Sequence, residues 1–317
     1  MKKFLIKTSL FFIVVVAIEI VLLQLYPIDK DSYLYEYVYK LDLLKGTNQP
    51  RVIIVGGSSV AFNTNSKLIS DSLNCNVINF GLHAGIGARM PIQDCLQYIK
   101  AGDVIVIQLE YSNFYNGGYG EIPVLTSLMV NKGWWNFTSL DSKQWAIVIQ
   151  GIPRIAYSNF RQLLKYPFAS LNDASQTAVS LNDDLYQYAK GGFNQYGDEV
   201  GHYEYPSPHE IAFLPVPEDR KVNSSFMLFL QDMISKFEHA GAIVVMIPPA
   251  CIDDYFEMAY NEEIGELLSQ IGHSFVINPS EMTLSNIYAF DTKYHLNKEG
   301  AMINSKRMAK CLKKIKK

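Results

Sequence analysis

The chain has 317 residues, of which 49% are hydrophobic and 19% charged, with a formal net charge of −3. That length supplies one large α/β domain with an appendage, and the lack of a long basic run outside the termini argues against a nucleic-acid binder. Cys75, Cys95, Cys251 and Cys311 show neither CxxC pairing nor zinc-ligand spacing, so no metal site and no disulfide framework can be read from them.

Lys2, Lys3 and Lys7 flank an apolar run from Leu10 to Leu25, broken by Glu19 and Gln24. With Phe4, Leu5 and Ile6 it reaches about the twenty residues that a bilayer span requires. Lysines before the run, and Asp29 and Asp31 after it, orient the N-terminus to the cytoplasm and the rest of the chain outward. A cleavable signal peptide needs small residues at its cleavage site, and Ala17 stands among bulky neighbours, so residues 1–27 read as an uncleaved signal anchor. Glu19 inside the span costs about 2–3 kcal/mol; a snorkelling acid and a contact with a partner membrane protein both account for it.

Residues 28–50, with Tyr33, Tyr35, Tyr37 and Tyr39 alternating with other residues, read as a juxtamembrane connector. Residues 51–317 form the main domain. Its first strand is the β-branched run 51–55, of the kind found in buried parallel strands. Further strands are expected at 76–79, 103–109, 242–247 and 274–278, with helices at 66–73, 90–100, 224–240, 257–271 and 298–317. Strands alternating with helices predict a parallel sheet covered on both faces. The closing lysines 310, 313, 314, 316 and 317 suit a helix C-terminus. Residues 112–223 break the alternation. They hold Trp134, Trp135 and Trp145 with many Tyr and Phe, and are expected to form a partly helical insertion walling the C-terminal edge of the sheet.

Ligands of open α/β sheets bind beyond the C-terminal ends of the strands. Gly56-Gly57-Ser58-Ser59 stands there, where glycines permit a tight turn that lifts a serine into the crevice. An ordinary turn with a helix-capping serine would look the same. Near the other end, Asp291 and His295 precede the last helix. A serine attacking an acyl carbon needs a base, and the base an orienting carboxylate. Ser58, His295 and Asp291 supply that set; helix and turn capping by His295 and Asp291 is the plainer alternative.

The strand–Gly-Gly-Ser start, the segment from Asn79 through Gly81 to Gly85, and the ending Asp291…His295-Leu-Asn-x-x-Gly300 together resemble the SGNH/GDSL hydrolase superfamily. They resemble in particular its single-span members that accompany membrane-bound O-acyltransferases in cell-surface polysaccharide acylation. The resemblance covers residues 51–110 and 240–317. It implies a three-layer α/β/α, flavodoxin-like sandwich and a serine esterase or O-acyltransferase without cofactor or metal. The substrate would be an acyl group, acetyl above all, on an extracytoplasmic glycan. It implies Ser58 as nucleophile, with Ser59 as the alternative, and an oxyanion hole from the N–H groups of Ser58 and Gly85 (or Ala84) with Asn113. Gly57 replaces the usual Asp, Asn113 is displaced from the third block, and Asp291 precedes His295 by four residues rather than three. His83 and Glu110 lie near this site and are left outside the catalytic set. A scaffold that binds glycan or docks on a transmembrane acyltransferase is the competing expectation.

Overall fold

Four runs of β-branched residues pair in parallel: β1 (Arg51–Gly56), β2 (Asn76–Gly81), β3 (Val104–Gln108) and β4 (Ile243–Met246), in the order β2-β1-β3-β4. The computed structural model describes residues 1–24, 30–132, 139–165, 188–205, 211 and 220–315. Side chains alternate across the sheet, as the strand period requires. Ile53, Val55, Ile78, Phe80, Ile105 and Ile107 face one apolar cluster, and Val52, Ile54, Val77, Val104, Val106 and Val245 the other.

Helices cover both faces. Against the first pack α2 (Glu36–Gly46), α5 (Arg89–Leu96) and α9 (Ser224–His239). The long amphipathic α9 buries Phe226, Leu230, Ile234 and Phe237; each such side chain contributes about 1.5–3 kcal/mol of burial. The second face is covered by α3 (Ser58–Asn63), α4 (Ser66–Leu73) and α12 (Lys298–Ile315). Asn65 starts α4 by accepting from the Leu68 N–H, and Asn74 ends it in the left-handed conformation, the expected N- and C-terminal punctuation.

Three sequence expectations are changed by packing. The fifth strand is reduced to one bridge, Phe275 to Met246, with Val276 N–H donating to Met246 O; at a half-exposed edge, water satisfies backbone groups that a central strand must pair. The helix expected at 257–271 is two helices, α10 (Asp253–Ala259) and α11 (Glu262–Gln270), because Asn261 Oδ1 caps the Glu263 N–H. The tyrosine-rich stretch beyond the anchor belongs to the core rather than connecting to it. Tyr33, Tyr37, Leu41 and Leu44 are buried there, and the buried Lys40 ammonium donates to Asn79 O, Gly81 O and Gly197 O.

The N-terminal helix α1 (Lys2–Gln24) is long and apolar enough to cross a membrane, a test that a signal sequence also passes. In the 112–223 interval the described elements are α6 (Ser112–Asn116), α7 (Ile122–Lys132), α8 (Ser142–Lys165) and the irregular segment 188–205. α7 packs on the turn Ala84–Ile86 that follows β2, and Glu199 N–H donates to Ala61 O in α3. These parts of the interval therefore lie at the C-terminal edge of the sheet. Trp134 and Trp135 fall outside the described residues.

Candidate active site

β1 and β3 are neighbours although β2 lies between them in sequence, so the strand order reverses there, and the crevice beyond their C-terminal ends is where such sheets bind ligands. The turn 56–58 follows β1, and Glu110 follows β3. A Cβ on Gly57 would lie 2.4 and 2.5 Å from the two carboxylate oxygens of Glu110, and one on Gly81 would lie 2.7 Å from Gly57 O. Only glycine lets these chains approach so closely. Glu110, which is fully buried, accepts from the Ser59 N–H at 2.9 Å and from Asn113 Nδ2 at 3.3 Å. Its charge sits at the N-terminus of α3, where the helix dipole favours an anion. Glu110 is thus the clasp of the serine turn. Ser58, at the first position of α3, is half-buried, whereas Ser59 is buried with its Oγ unpartnered.

The segment carrying His295 is fastened to α3 from below. Asn63 Nδ2 donates to Tyr294 O at 2.7 Å, and Asn63 Oδ1 accepts from the Leu296 N–H at 2.8 Å. The His295 ring lies flat on Phe62, centroids 4.0 Å apart and planes 3° off parallel. Phe62 is four residues after Ser58, hence on the same helix face, and a helical side chain covers the turn N-terminal to its own Cα. His295 therefore stands beside the turn of Ser58.

Asp291 Oδ1 meets His295 Nδ1 at 2.7 Å. The four-residue spacing is accommodated because Thr292 Oγ1 accepts from the His295 N–H at 3.1 Å and closes the loop. The second oxygen of Asp291 accepts from the Tyr188 hydroxyl. Burial pushes the Asp291 carboxyl up, but the hydrogen bond and charge of His295, with help from Tyr188 and His202, outweigh it and hold it below the usual carboxylate range.

Ser58 and His295 are not hydrogen-bonded to each other, and neither Ser58 Oγ nor His295 Nε2 has a hydrogen-bond partner among the described residues. Of the expected oxyanion donors, two are engaged elsewhere. The Gly85 N–H donates to His83 Nδ1 at 2.9 Å, and Asn113 Nδ2 donates to Glu110. Ala84, the alternative, is exposed at the start of the same turn. Because His83 Nδ1 accepts a hydrogen bond, the neutral ring carries its proton on Nε2. Burial lowers the pKa of His83; Glu121 opposes this and His295 adds to it, so the neutral form is favoured. Gly56 and Gly81 are the last pair in register on β1 and β2, and Ser58 and His83 each stand two residues beyond it.

Other participants had no signal in the sequence. Tyr188 is 103 residues from Asp291. Tyr33, from the stretch after the anchor, donates to Leu82 O at 2.6 Å and packs against both His83 and Tyr188. Behind Phe62, the buried His202 pairs with Glu199 and Leu296 O. A phenylalanine one turn after a candidate nucleophile was the one legible hint. Among the described residues, no group of three or more His, Cys, Asp or Glu side chains converges as a metal site. No family model matches the chain, and no curated protein matches it.

Proposed function

We propose that this chain is a membrane-anchored, extracytoplasmic serine esterase or O-acyltransferase of the SGNH/GDSL kind, acting on acyl groups, acetyl above all, of a cell-surface polysaccharide. The observation that carries this reading is the imidazole of His295, oriented by Asp291 through Nδ1 and laid on Phe62 one helical turn from Ser58, with Nε2 unpartnered among the described residues. In this reading α1 is the anchor and the sheet with its two helical layers is the flavodoxin-like sandwich of that superfamily.

Ser58 Oγ attacks the acyl carbon while His295 Nε2 takes its proton. The carbonyl oxygen becomes an oxyanion stabilised by the Ser58 N–H and, in place of the engaged Gly85 N–H, by the Nε2–H of His83. One such donor is worth about 3–4 kcal/mol. Collapse expels the alcohol, which receives the proton from His295, and leaves an acyl-serine. Water or a sugar hydroxyl, deprotonated by His295, then attacks that ester and restores Ser58. Catalytic hydrogen bonds are often loose without substrate and tighten in the complex, which accommodates the open Ser58–His295 geometry.

A second reading is a scaffold that binds glycan or docks on a transmembrane acyltransferase. It is favoured by the engagement of both Gly85 N–H and the Asn113 amide within the protein. The two separate on an aryl acetate assay of the full-length protein. Ser58→Ala and His295→Ala should each lower kcat/KM by about four orders of magnitude, and the double variant should be hardly worse, because such groups act as a unit. Ser59→Ala should keep activity. Absence of esterase activity from the wild type, with in-cell acylation retained by Ser58→Ala, would establish the scaffold instead, and full esterase activity in Ser58→Ala would move the nucleophile elsewhere.

A further inference from the structure

α8 presents an apolar stripe that stays exposed among the described residues. Ala146, Ile149, Pro153, Tyr157, Phe160 and Leu164 recur at three- and four-residue steps and are all exposed, which places them on one face of the helix. Ile149, Tyr157, Phe160 and Leu164 are 60, 62, 42 and 65% exposed. Gln144 and Val148 on the opposite face are buried. Arg154 and Arg161 flank the stripe and are exposed.

The same helix packs against α1, where Asn159 Nδ2 donates to Leu22 O at 3.1 Å. At ~1.5 Å per residue, Leu22 is ~27 Å along α1 from Phe4, close to the outer boundary of a ~30 Å hydrocarbon core whose inner side is marked by the lysines. The part of α8 around Asn159 therefore lies at the level of the outer leaflet. Tyr157 and Phe160, next to Asn159, are exposed there as the apolar residues of α1 are, and the arginines beside the stripe can reach the head groups.

We infer that α8 is a second membrane contact, an interfacial helix whose Ile149–Leu164 stripe sits in the outer leaflet beside α1. The occupant of the stripe is lipid rather than a protein partner, because the surface it extends is itself lipid-facing once α1 spans the bilayer. The inference rests on the anchoring part of the proposed function and is independent of the catalytic part. Since α7 packs on both α8 and the Ala84–Ile86 turn, this contact would hold the Ser58 edge at a set height over the bilayer.

The test uses the full-length chain in nanodiscs of phosphatidylcholine and phosphatidylglycerol. Spin labels are placed singly by Phe160→Cys and Ile149→Cys on α8, Phe12→Cys on α1 and Leu228→Cys on α9; the native cysteines are buried. Collisions with oxygen report lipid, and collisions with a nickel chelate report water. The labels at 160 and 149 should match the one at 12, with high oxygen contact and loss of nickel contact, while the label at 228 collides with nickel freely. Nickel contact at 160 and 149 equal to that at 228, with 12 still in lipid, overturns the inference and leaves the anchor standing. Shielding of 160 and 149 from both reagents also overturns it, in favour of a protein partner. Nickel contact at 12 overturns the anchor, and the inference with it.

Discussion

The two ends of the central sheet treat buried polar groups in opposite ways. At the N-terminal end, Arg51 and Asp103 form an ion pair with both side chains fully buried: Nε to Oδ1 at 2.9 Å and the terminal nitrogen Nη2 to Oδ2 at 2.8 Å. The remaining guanidinium protons go to Leu44 O, Thr47 O and Tyr98 O, and Asp103 also accepts from Gln49 and the Lys100 N–H. At the C-terminal end, the Oγ of Ser59, the Oε1 of Gln108 and the hydroxyl of Tyr111 are buried without partners among the described residues, and His295 Nε2 and Ser58 Oγ have none there either. Buried polar groups are ordinarily satisfied. That contrast supports placing the proposed site at the C-terminal end.

The sharpest way to separate the two ends is a pair of single variants. Ser58→Ala should remove the proposed esterase activity while leaving the denaturation midpoint in urea unchanged. Arg51→Met should do the reverse, costing about 3–5 kcal/mol by stranding Asp103 as an uncompensated buried charge, with the folded fraction keeping its kcat. Equal loss of stability in both variants would erase the distinction.

A smaller effect is expected at the serine turn. Gly57→Ala places a methyl group against the Glu110 carboxylate and should destabilise by about 1–3 kcal/mol, as overpacking does. In a Glu110→Ala background most of that loss should vanish, the sign of direct coupling. Additive losses would mean that Glu110 is not the clasp of the turn.

The smallest effect is a pH dependence. The pKa of His83 is lower in the folded chain than in the unfolded one, so as pH falls the unfolded state takes the proton first. Stability from this group is full above the unfolded value of about 6.5 and falls as pH drops from there through the folded value. Asp291, also depressed, loses its contribution only below the unfolded carboxylate value of about 3.9. In denaturation curves, stability should therefore fall more, or rise less, from pH 8 to pH 5 in the wild type than in His83→Gln, whatever slope other groups such as Glu36, whose carboxyl burial pushes up to about 7, add to both. The same slope in both proteins would detach the His83 ring from the Gly85 turn.

Residue pattern alone set much of this protein. The apolar run flanked by lysines fixed the long N-terminal helix, and β-branched runs separated by amphipathic stretches fixed a parallel sheet with helices on both faces, since strand and helix periods are local properties. Gly56-Gly57-Ser58, and Asp291 four residues before His295, were legible because turn chemistry and a short loop are local too. Packing decided the rest. Whether Gly85 or Asn113 has a free donor depends on partners such as His83 and Glu110, whose distances follow from strand register and not from spacing. The burial of Ser59 beside the half-exposed Ser58 is set by one helical step. Phe62 reaches His295, Tyr188 reaches Asp291 and Tyr33 reaches His83 from three separate parts of the chain. A hydrogen bond is a relation between positions in space, and sequence periodicity specifies which face a residue is on but not what stands opposite it.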